Sequence, residues 1–282
     1  MDPKIIKNLG TNYETTWCPA CPNYMILASV KNALGKLIES KKYKQNDFAI
    51  TTDIGCSSKI FDYLNLSGIY GLHGRALPTG IGLKLGNPNL HVLTFVGDGG
   101  MYEEGISHFI HSFRYNTKMT LIVHNNQSFS LTTGQPTATS QQGFKAKSEP
   151  LGVFDKPLNP IKLALASGGT FIARCNANDI KHTAEIIEKA INHNGFSYVE
   201  IIQDCLIFNK EANKKDEHMY KIEDNFDMKK AEEIASEYDY NNKTGKIPLG
   251  VIYQVDRKTL EEEWPMLIKL KKQGTSWKGL KR

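Results

Sequence analysis

The fold is decided by two stretches, LHVLTFVGDGG at residues 90–100 and MTLIVHNN at residues 119–126. Each contains a short, nearly continuous apolar run, which is typical of a strand that is covered on both faces of a parallel sheet. The apolar residues between them fall on one stripe of a helix: Tyr102, Ile106, Phe109, Ile110 and Phe113. A strand, a crossover helix and a second strand form a right-handed unit, so both strands are predicted to point the same way.

Polar residues follow both of these strands. Asp98 and Asn126 are expected just beyond the carboxyl ends of neighbouring strands, where open α/β sheets bind ligands. A carboxylate, a carboxamide and a main-chain carbonyl suit magnesium bound to phosphate, and the expected turn favours Ser128 for the carbonyl. Three glycines let the main chain approach the phosphates without a Cβ: Gly97, Gly99 and Gly100. Either motif alone also occurs in ordinary turns, but both at this spacing predict a magnesium–diphosphate site.

The cysteines indicate a second site. Cys18 and Cys21 form a C-x-x-C pair, which can serve an iron–sulfur cluster, zinc or thiol exchange. A thioredoxin-like dithiol is disfavoured because no apolar strand precedes the pair. Together with Cys56 and Cys205, the pair offers four thiolates, which suit either tetrahedral zinc or a cubane cluster. The remaining Cys175 ends a predicted strand and is expected to be buried as a small hydrophobic residue.

Composition narrows the class of protein. Five cysteines in 282 residues do not make a disulfide scaffold, and residues 1–10 lack the apolar core of a signal peptide, so we expect a cytoplasmic protein. No apolar run approaches the roughly 20 residues of a membrane span, so no membrane association is expected. The formal net charge of +5 comes without a basic patch interleaved with aromatic residues, so nucleic acid is not an expected partner.

Six short motifs occur in a fixed order along the chain. They are WCPAC at 17–21, DIGCS at 53–57, LHGRA at 72–76, GDG at 97–99, NNQ at 125–127 and LTTGQ at 131–135. As an ordered set they are highly specific. The chain from about Asn12 to Asn209 resembles the β subunit of the 2-oxoacid:ferredoxin oxidoreductases, the thiamine diphosphate-binding half of that enzyme. Residues Ile247–Gly250 are similar to the C-terminal segment of that family.

The resemblance implies an α/β fold with a mostly parallel, twisted sheet and helices on both faces, the thiamine diphosphate-binding fold of the PP type. It implies an N-terminal cluster-binding segment at residues 1–24 and a thiamine diphosphate- and magnesium-binding domain at residues 25–209. A C-terminal extension at residues 210–282 is expected to form an arm with a helix and one possible strand. Residues 134–160 lack a regular apolar pattern and are predicted to form a long loop that is functional or covered by a partner.

The resemblance also implies which residues bind cofactors. In the family, the Gly-Asp-Gly and Asn-Asn motifs hold magnesium and thiamine diphosphate. The four cluster cysteines of the family align with Cys18, Cys21, Cys56 and Cys205, which favours a 4Fe–4S cluster over zinc. The predicted contacts to thiamine diphosphate are Ile54, Gly55, Cys56, Ser57, His73, Gly97, Gly99, Gly100, Ser130 and Leu131.

Three residues are predicted to act in catalysis. Cys56 lies on a loop that is expected to touch both the thiamine cofactor and the cluster. His73 is predicted to donate to a phosphate, and the alternative is a hydrogen-bonded loop histidine. Lys59 is predicted to meet the carboxylate of the substrate, and the alternative is a solvated lysine.

The implied reaction is the coenzyme A-dependent oxidative decarboxylation of a 2-oxoacid to acyl-CoA and carbon dioxide. Thiamine diphosphate carries the chemistry at the 2-oxo carbon, while the cluster takes electrons one at a time and passes them to ferredoxin. No second domain is apparent that could supply the glutamate which activates thiamine. The resemblance implies that this residue comes from an α subunit with a pyrimidine-binding domain, in a heterodimer or a dimer of heterodimers. The chain is therefore expected to be inactive alone.

The chain departs from the family at several positions. Ala20 and Pro22 replace glycines near the first two cysteines, and Pro22 lacks an N–H that could bond a cluster sulfur, which affects the cluster potential. Gly100 stands where an acidic residue commonly follows Gly-Asp-Gly. The usual Tyr-Gly is Phe-Ser at 129–130, and the loop that follows reads PTAT at 136–139. These last changes lie beside the expected cofactor and bear on substrate preference.

Two other functions stay open at this point. One is a non-oxidative thiamine diphosphate-dependent 2-oxoacid decarboxylase subunit whose cysteines hold zinc or nothing. The other is an iron–sulfur electron-transfer subunit with a degenerate cofactor site, although the retained Asp98 and Asn126 argue against it.

Basic residues near the end of the chain either steer an acidic ferredoxin or form a solvated terminus: Lys269, Lys271, Lys272, Lys278, Lys281 and Arg282.

Overall fold

Eight strands form one sheet in the part of the chain that the structure, a computed structural model, describes: residues 2–210, 216–241 and 245–273. The strands are β1 (Phe48–Thr52), β2 (Ser67–Tyr70), β3 (His91–Gly97), β4 (Met119–Asn125), β5 (Phe171–Asn176), β6 (Phe196–Ile202), β7 (Met219–Lys221) and β8 (Ile247–Gln254). Their order in the sheet is β2-β1-β3-β4-β6-β5-β8-β7.

The described residues also form ten α-helices. They are α1 (Pro3–Asn8), α2 (Asn23–Glu39), α3 (Ile60–Tyr63), α4 (Ala76–Gly86), α5 (Ile106–Tyr115), α6 (Pro160–Ala166), α7 (Ile180–Asn192), α8 (Met228–Ser236), α9 (Leu260–Glu263) and α10 (Pro265–Gln273). A π-helix covers Gly100–Glu104, and 3-10 turns cover Gln45–Asp47 and Asp216–His218. Among these described helices, none combines the length and the apolar character that crossing a bilayer requires.

The sheet is mostly parallel. The strands from β2 through β1, β3, β4 and β6 to β5 all run parallel, whereas β8 pairs antiparallel with β5 and β7 runs parallel to β8. The predicted α/β fold class is confirmed. The segment predicted as a C-terminal arm adds β7 and β8 to this sheet, together with α8, α9 and α10. Three of the predicted basic residues lie outside the described residues: Lys278, Lys281 and Arg282.

Helices bury both faces of the sheet. Successive residues of a strand point to opposite faces. Ile122 of β4 therefore packs into the apolar cluster that includes α2 and α7, whereas Leu121 and Val123 pack into the cluster that includes α4, α5, α6 and α8. A strand covered on both sides has no polar face, which explains why its sequence is a continuous apolar run.

The connection between β3 and β4 is helical, as predicted, but it begins as the π-helix Gly100–Glu104 and continues as α5 after Gly105. In the predicted stripe, Tyr102, Phe109 and Phe113 are buried, whereas the two isoleucines between them are only half-buried. The hydroxyl of Tyr102 lies 2.5 Å from the hydroxyl of Tyr198 on β6, so the π turn is anchored to the sheet.

Strand register positions the site. Gly97 at the end of β3 pairs with His124 near the end of β4, so Asp98 and Asn126 leave the sheet at the same edge. Thr52 at the end of β1 pairs with Phe95, which brings the loop after β1 to that edge as well. The prediction that the two polar motifs follow neighbouring parallel strands is confirmed.

Candidate functional site

A cavity opens at the carboxyl edge of the sheet, where β1, β3 and β4 end. All the residues predicted to contact thiamine diphosphate or magnesium line it: Ile54, Gly55, Cys56, Ser57, His73, Gly97, Asp98, Gly99, Gly100, Asn126, Ser128, Ser130 and Leu131. His124, Phe129, Thr132 and Gln203 line it too. We call this the cofactor cavity. The residues predicted from separate motifs of the sequence thus meet in one place.

Asp98 is the buried carboxylate of the cofactor cavity, with 1% of its surface exposed. Its Oδ2 accepts hydrogen bonds from the hydroxyls of Thr137 (2.5 Å) and Thr139 (3.0 Å), and its Oδ1 accepts a longer one from the Asn126 N–H (3.4 Å). Burial raises the pKa of Asp98 to about 6, and the two threonine hydroxyls oppose that rise. Like these hydroxyls, a nearby divalent cation would lower the pKa of Asp98 and favour its charged form.

The two threonines were not singled out from the sequence. They belong to the PTAT segment at 136–139, noted only as a departure from the family. The signal that could have found them is their hydroxyl chemistry on a loop directly after a cofactor-binding motif. Their bonds show that the long loop of residues 134–160 packs against the cofactor cavity and holds Asp98.

The side chains of Asn125 and Asn126 face different partners. Asn126 lines the cofactor cavity, and its Oδ1 accepts from the main-chain N–H of Ser128 at 3.1 Å. Asn125 instead donates to Glu200 Oε1 (2.8 Å) and accepts from the Gln127 N–H (3.1 Å). Gln127 takes a positive φ of 56°, which turns the chain and brings Ser128 to the cavity wall. Only the second asparagine is therefore placed to act as a ligand.

His73 lies on the wall of the cofactor cavity, and its Nδ1 is buried without a partner among the described residues. The next residue, Gly74, supplies a main-chain N–H that stabilises the carboxylate of Asp53. Arg75 donates from Nη1 to the main-chain oxygen of Glu104 at 2.9 Å, so it holds the loop to the end of the π-helix. Arg75 is thus a structural partner of this loop.

Asp53 is a buried carboxylate that stands in one of the six motifs, although the sequence predicted no role for it. Its Oδ1 accepts from the Ser58 hydroxyl at 2.6 Å, and burial raises its pKa to about 7. A Cβ built on Gly100 would lie only 1.9 Å from Asp53 Oδ2. The departure from the family at Gly100 therefore has a structural counterpart, because the Asp53 carboxylate fills the space that a side chain there would need.

The cysteines line a second cavity of about 250 Å³, which we call the cysteine cavity. Cys18, Cys21, Cys56 and Cys205 all contribute to its wall, as the prediction of one shared site requires. Cys175 lies elsewhere, fully buried in the apolar cluster beneath α2 and α7, as expected.

The two cavities adjoin at a common wall. Four residues line both of them: Cys56, Asn126, Ser130 and Leu131. The pKa of the Cys56 thiol is raised to about 11, mainly by burial and to a lesser extent by the nearby Cys21, Cys205 and Cys18 thiols, while Lys59 opposes the rise. The mutual influence of these thiols is a consequence of their closeness.

Polar groups hold the cysteine-bearing loops in place. Trp17 Nε1 donates to the main-chain oxygen of Cys56 at 2.6 Å, and the Phe208 N–H donates to Cys205 Sγ at 3.4 Å. Lys59 lines the cysteine cavity and donates to the Thr16 main-chain oxygen at 3.1 Å. The structure thus places Lys59 on the cysteine side of the shared wall and not on the lining of the cofactor cavity.

Within the described residues, no group of three or more histidine, cysteine, aspartate or glutamate side chains is arranged to hold a single metal ion. At the cofactor cavity the candidate ligands are of mixed type, namely the Asp98 carboxylate, the Asn126 amide and the Ser128 carbonyl. At the cysteine cavity, the choice between zinc and a cluster stays a prediction.

Comparison with protein families divides the chain into two matched segments. Residues 53–201 match the family described as "Thiamine pyrophosphate enzyme, C-terminal TPP binding domain". Residues 205–269 match the family of the C-terminal part of the pyruvate ferredoxin oxidoreductase beta chain. The first match spans every loop at the end of β1, β2, β3 and β4.

Individual relatives are similar over most of their length. The 2-oxoacid:ferredoxin oxidoreductase subunit beta of Saccharolobus solfataricus is 38% identical over 84% of this chain and 81% of its own. The 2-oxoglutarate synthase subunit KorB of Methanocaldococcus jannaschii is 31% identical over 89% of this chain and 92% of its own. A solved structure of 2-oxoglutarate:ferredoxin oxidoreductase from Magnetococcus marinus, with 2-oxoglutarate, coenzyme A and succinyl-CoA bound, superposes with a TM-score of 0.88. It is 31% identical, and the superposition covers 99% of this chain and 94% of that one.

Proposed function

The chain belongs to the β subunits of the 2-oxoacid:ferredoxin oxidoreductases, and from that premise we propose that it works with an α subunit in the coenzyme A-dependent oxidative decarboxylation of a 2-oxoacid. A 4Fe–4S cluster held by the cysteines would accept single electrons for transfer to ferredoxin, and coenzyme A would take up the acyl group. One observation carries the proposal: Cys56 lines both the cofactor cavity and the cysteine cavity. A thiamine cofactor in the first cavity and a cluster in the second would therefore lie on the two sides of one wall.

The residues of the cofactor cavity fit magnesium and thiamine diphosphate. Asp98 is a carboxylate whose charge is disfavoured by burial, so a divalent cation at the Asp98, Asn126 and Ser128 oxygens relieves that cost. The partnerless Nδ1 of His73 is available to bond a phosphate oxygen. When bound, thiamine diphosphate supplies the carbanion chemistry at the 2-oxo carbon. The protein residues orient it and exclude water.

The residues of the cysteine cavity fit an iron–sulfur cluster. Four cysteines line this cavity of about 250 Å³, and four cysteine thiolates are the ligand set of a 4Fe–4S cluster. Cys18, Cys21, Cys56 and Cys205 would ligate it as thiolates. When bound, such a cluster accepts single electrons. Cys56 would then serve as both a cluster ligand and a wall of the cofactor cavity.

An α subunit is needed to complete the site. None of the described residues that line the cofactor cavity is a glutamate, so the carboxylate that activates thiamine is proposed to come from that partner. Three large apolar side chains around the two cavities are exposed, which is typical of a surface that a partner protein buries. Their exposed fractions are 71% for Leu72, 54% for Ile207 and 44% for Leu131. The three-part division of the chain and a cytoplasmic location remain predictions within this proposal.

The substrate class is narrowed by the names of the relatives. KorB of Methanocaldococcus jannaschii and the Magnetococcus marinus enzyme are both named for 2-oxoglutarate, and the family matched by residues 205–269 is named for pyruvate. We therefore propose these two as the first 2-oxoacids to test. Lys59 is proposed to meet a substrate carboxylate from the cysteine side of the shared wall.

The test is activity of the purified αβ complex. We expect 2-oxoacid-dependent reduction of ferredoxin that requires coenzyme A, together with visible absorbance that dithionite bleaches. Asp98→Asn should abolish binding of Mg–thiamine diphosphate in calorimetry and remove activity, while the exposed Asp62→Asn serves as a control that retains both. Decarboxylation without an electron acceptor would support the non-oxidative alternative. A cluster without thiamine diphosphate binding would support the electron-transfer alternative.

A further inference from the structure

Asn23 and His124 form a buried pair between the two cavities. Both have 1% of their surface exposed, and Asn23 Oδ1 lies 2.8 Å from His124 Nδ1. Asn23 begins α2, two residues after Cys21, and lines the cysteine cavity. His124 lies near the end of β4, two residues before Asn126, and lines the cofactor cavity. The pair therefore spans the wall that the two cavities share.

The cysteine end of the pair fixes the orientation of the Asn23 amide. Asn23 Nδ2 lies 3.5 Å from the main-chain oxygen of Cys56, and because that oxygen can only accept, the NH2 group must face it. The main-chain and side-chain N–H groups of Asn23 also hydrogen-bond the Cys21 sulfur. Asn23 thus presents donors to a cysteine sulfur and to the loop of another cysteine.

The histidine end follows from the same orientation. Since Asn23 Oδ1 can only accept, His124 Nδ1 must carry the proton, and Nε2 is left with a lone pair. This Nε2 is buried and has no hydrogen-bond partner among the described residues. In the neutral imidazole this leaves Nε2 as an acceptor. A buried acceptor without a partner is costly, so a donor inside the cofactor cavity, from water or a ligand, is required.

We propose that Asn23 and His124 are positioning residues that form a hydrogen-bonded link between the cofactor cavity and the cysteine cavity and raise the reduction potential of the cluster held there. The proposal rests on the proposed function, because it needs a cluster on the four cysteines. N–H donors to sulfur stabilise the additional negative charge of a reduced cluster. Bonds in a chain polarise one another, so a donor to His124 Nε2 strengthens the side-chain N–H bond from Asn23 to Cys21.

The test is the cluster potential in the αβ complex, measured by a dithionite titration followed by electron paramagnetic resonance. We expect a more negative midpoint in Asn23→Ala, which removes the side-chain donor, and a smaller shift in the same direction in His124→Phe. His124→Phe retains all four cysteines, Asn23 and an aromatic ring against Phe95. Ser29→Ala is the matched control, since Ser29 is buried on the same helix and bonds the Met25 main-chain oxygen there, at 2.9 Å. Its midpoint should equal that of the wild type.

The same titration with and without Mg–thiamine diphosphate tests the link itself. We expect the wild-type midpoint to rise when the cofactor cavity is filled, and this rise to shrink in His124→Phe and in Asn23→Ala. If Asn23→Ala loses iron, the His124→Phe values decide the matter. The link is contradicted if both variants carry the cluster, keep the wild-type midpoint and show the wild-type change on adding Mg–thiamine diphosphate. The proposed function would then still stand. A wild-type complex without iron or visible absorbance would instead contradict the proposed function, and the link with it.

Discussion

At the scale of single residues, Gly100 on the wall of the cofactor cavity has no room for a side chain, because the Asp53 carboxylate lies behind it. A side chain at position 100 would meet Asp53 Oδ2 at 1.9 Å, and that carboxylate is buried and held by Ser58. We expect Gly100→Ala to displace either the carboxylate or the Gly-Asp-Gly turn. The cost in unfolding free energy should be about 1–3 kcal/mol. Affinity for Mg–thiamine diphosphate, measured by calorimetry, should fall roughly 10-fold or more.

Two control variants distinguish the clash with Asp53 from the effect of a glycine-to-alanine substitution as such. Gly82→Ala lies in α4, where an added Cβ meets nothing within 4 Å, and it should retain cofactor affinity and gain up to about 1 kcal/mol of stability. Asp53→Ala combined with Gly100→Ala removes the obstacle and should recover part of the stability lost in Gly100→Ala. A Gly100→Ala protein that unfolds and binds like the wild type would contradict the argument.

The ligand positions of the cofactor cavity were more predictable from the sequence than the residues that support them. The positions of Asp98 and Asn126 were predictable because the ends of neighbouring parallel strands converge, and residue chemistry then makes both residues candidate ligands. Asp53 and Thr139 were missed, because their roles depend on contacts across loops that no local pattern records. Asn125 is the clearest case. It belongs to the same motif as Asn126, yet its side chain bonds Glu200 on a neighbouring strand.

At the scale of elements, apolar periodicity predicted the central strands and their helices closely. The apolar runs within residues 90–100 and 119–126 form β3 and β4, and the predicted stripe from Tyr102 to Phe113 forms the helical connection between them. Strand β2 was missed, because it is a short edge strand that is exposed throughout and has no apolar run. The π turn was missed as well, since one extra residue per turn hardly disturbs a helical stripe.

Strands β5 and β6 are joined across the sheet by a fully buried ion pair. Arg174 Nε donates to Glu200 Oε2 at 2.8 Å, and the Tyr240 hydroxyl bonds both side chains at 2.7–2.8 Å. Glu200→Gln leaves the Arg174 charge buried without its counter-ion and should cost about 3–5 kcal/mol in urea unfolding. Arg174→Met with Glu200→Gln should cost less than the two single changes together. Strictly additive costs would contradict the coupling.

The end of α7 carries an acid-sensitive histidine, His193, which packs on Phe171 and bonds the Thr170 hydroxyl at 3.0 Å. Burial lowers its pKa from 6.5 to about 4. Between these values the unfolded chain binds a proton that the folded chain does not. The contribution of His193 to the free energy of unfolding is therefore lost as the pH falls from about 6.5 to about 4. This loss is at most roughly 3 kcal/mol.

Replacing this histidine removes the proton-binding difference. We expect His193→Gln to lose less unfolding free energy than the wild type between pH 7 and pH 4, in urea titrations at several pH values. The same substitution at the exposed His111 is the control and should leave the wild-type pH dependence unchanged. A His193→Gln curve parallel to the wild type over this range would show that another group governs the acid response.

At the scale of the whole molecule, the two cavities are assembled by segments far apart in the chain. The cysteine cavity draws on residues from Thr16 to Phe208, and only the fold brings them together. A sequence can predict that four cysteines share a site, but their common wall with the cofactor cavity depends on where α2 and the loop after β6 pack. What lies across the open side cannot be derived from this chain alone, because the missing catalytic glutamate belongs to another polypeptide in the proposed assembly.

The last prediction concerns that open side. Leu72 is exposed by 71% directly before His73 on the wall of the cofactor cavity, so a partner that closes the cavity should bury it. Placing a charge there costs little in the free chain and much in an apolar interface. We expect Leu72→Asp to retain the wild-type melting temperature as a free chain and to bind the α subunit roughly 10- to 100-fold more weakly. Activity of the mixed subunits should fall at low concentration and recover when the α subunit is in excess.

Tyr115→Asp is the matched control, because Tyr115 is half-exposed at the end of α5, just before β4 begins and so at the opposite edge of the sheet. It should bind the α subunit with wild-type affinity in the same analytical ultracentrifugation or calorimetry. Equal weakening by both changes would indicate a general effect of surface charge. Wild-type affinity in Leu72→Asp would place the α subunit away from the mouth of the cofactor cavity, and the activating glutamate would then have to reach thiamine by another route.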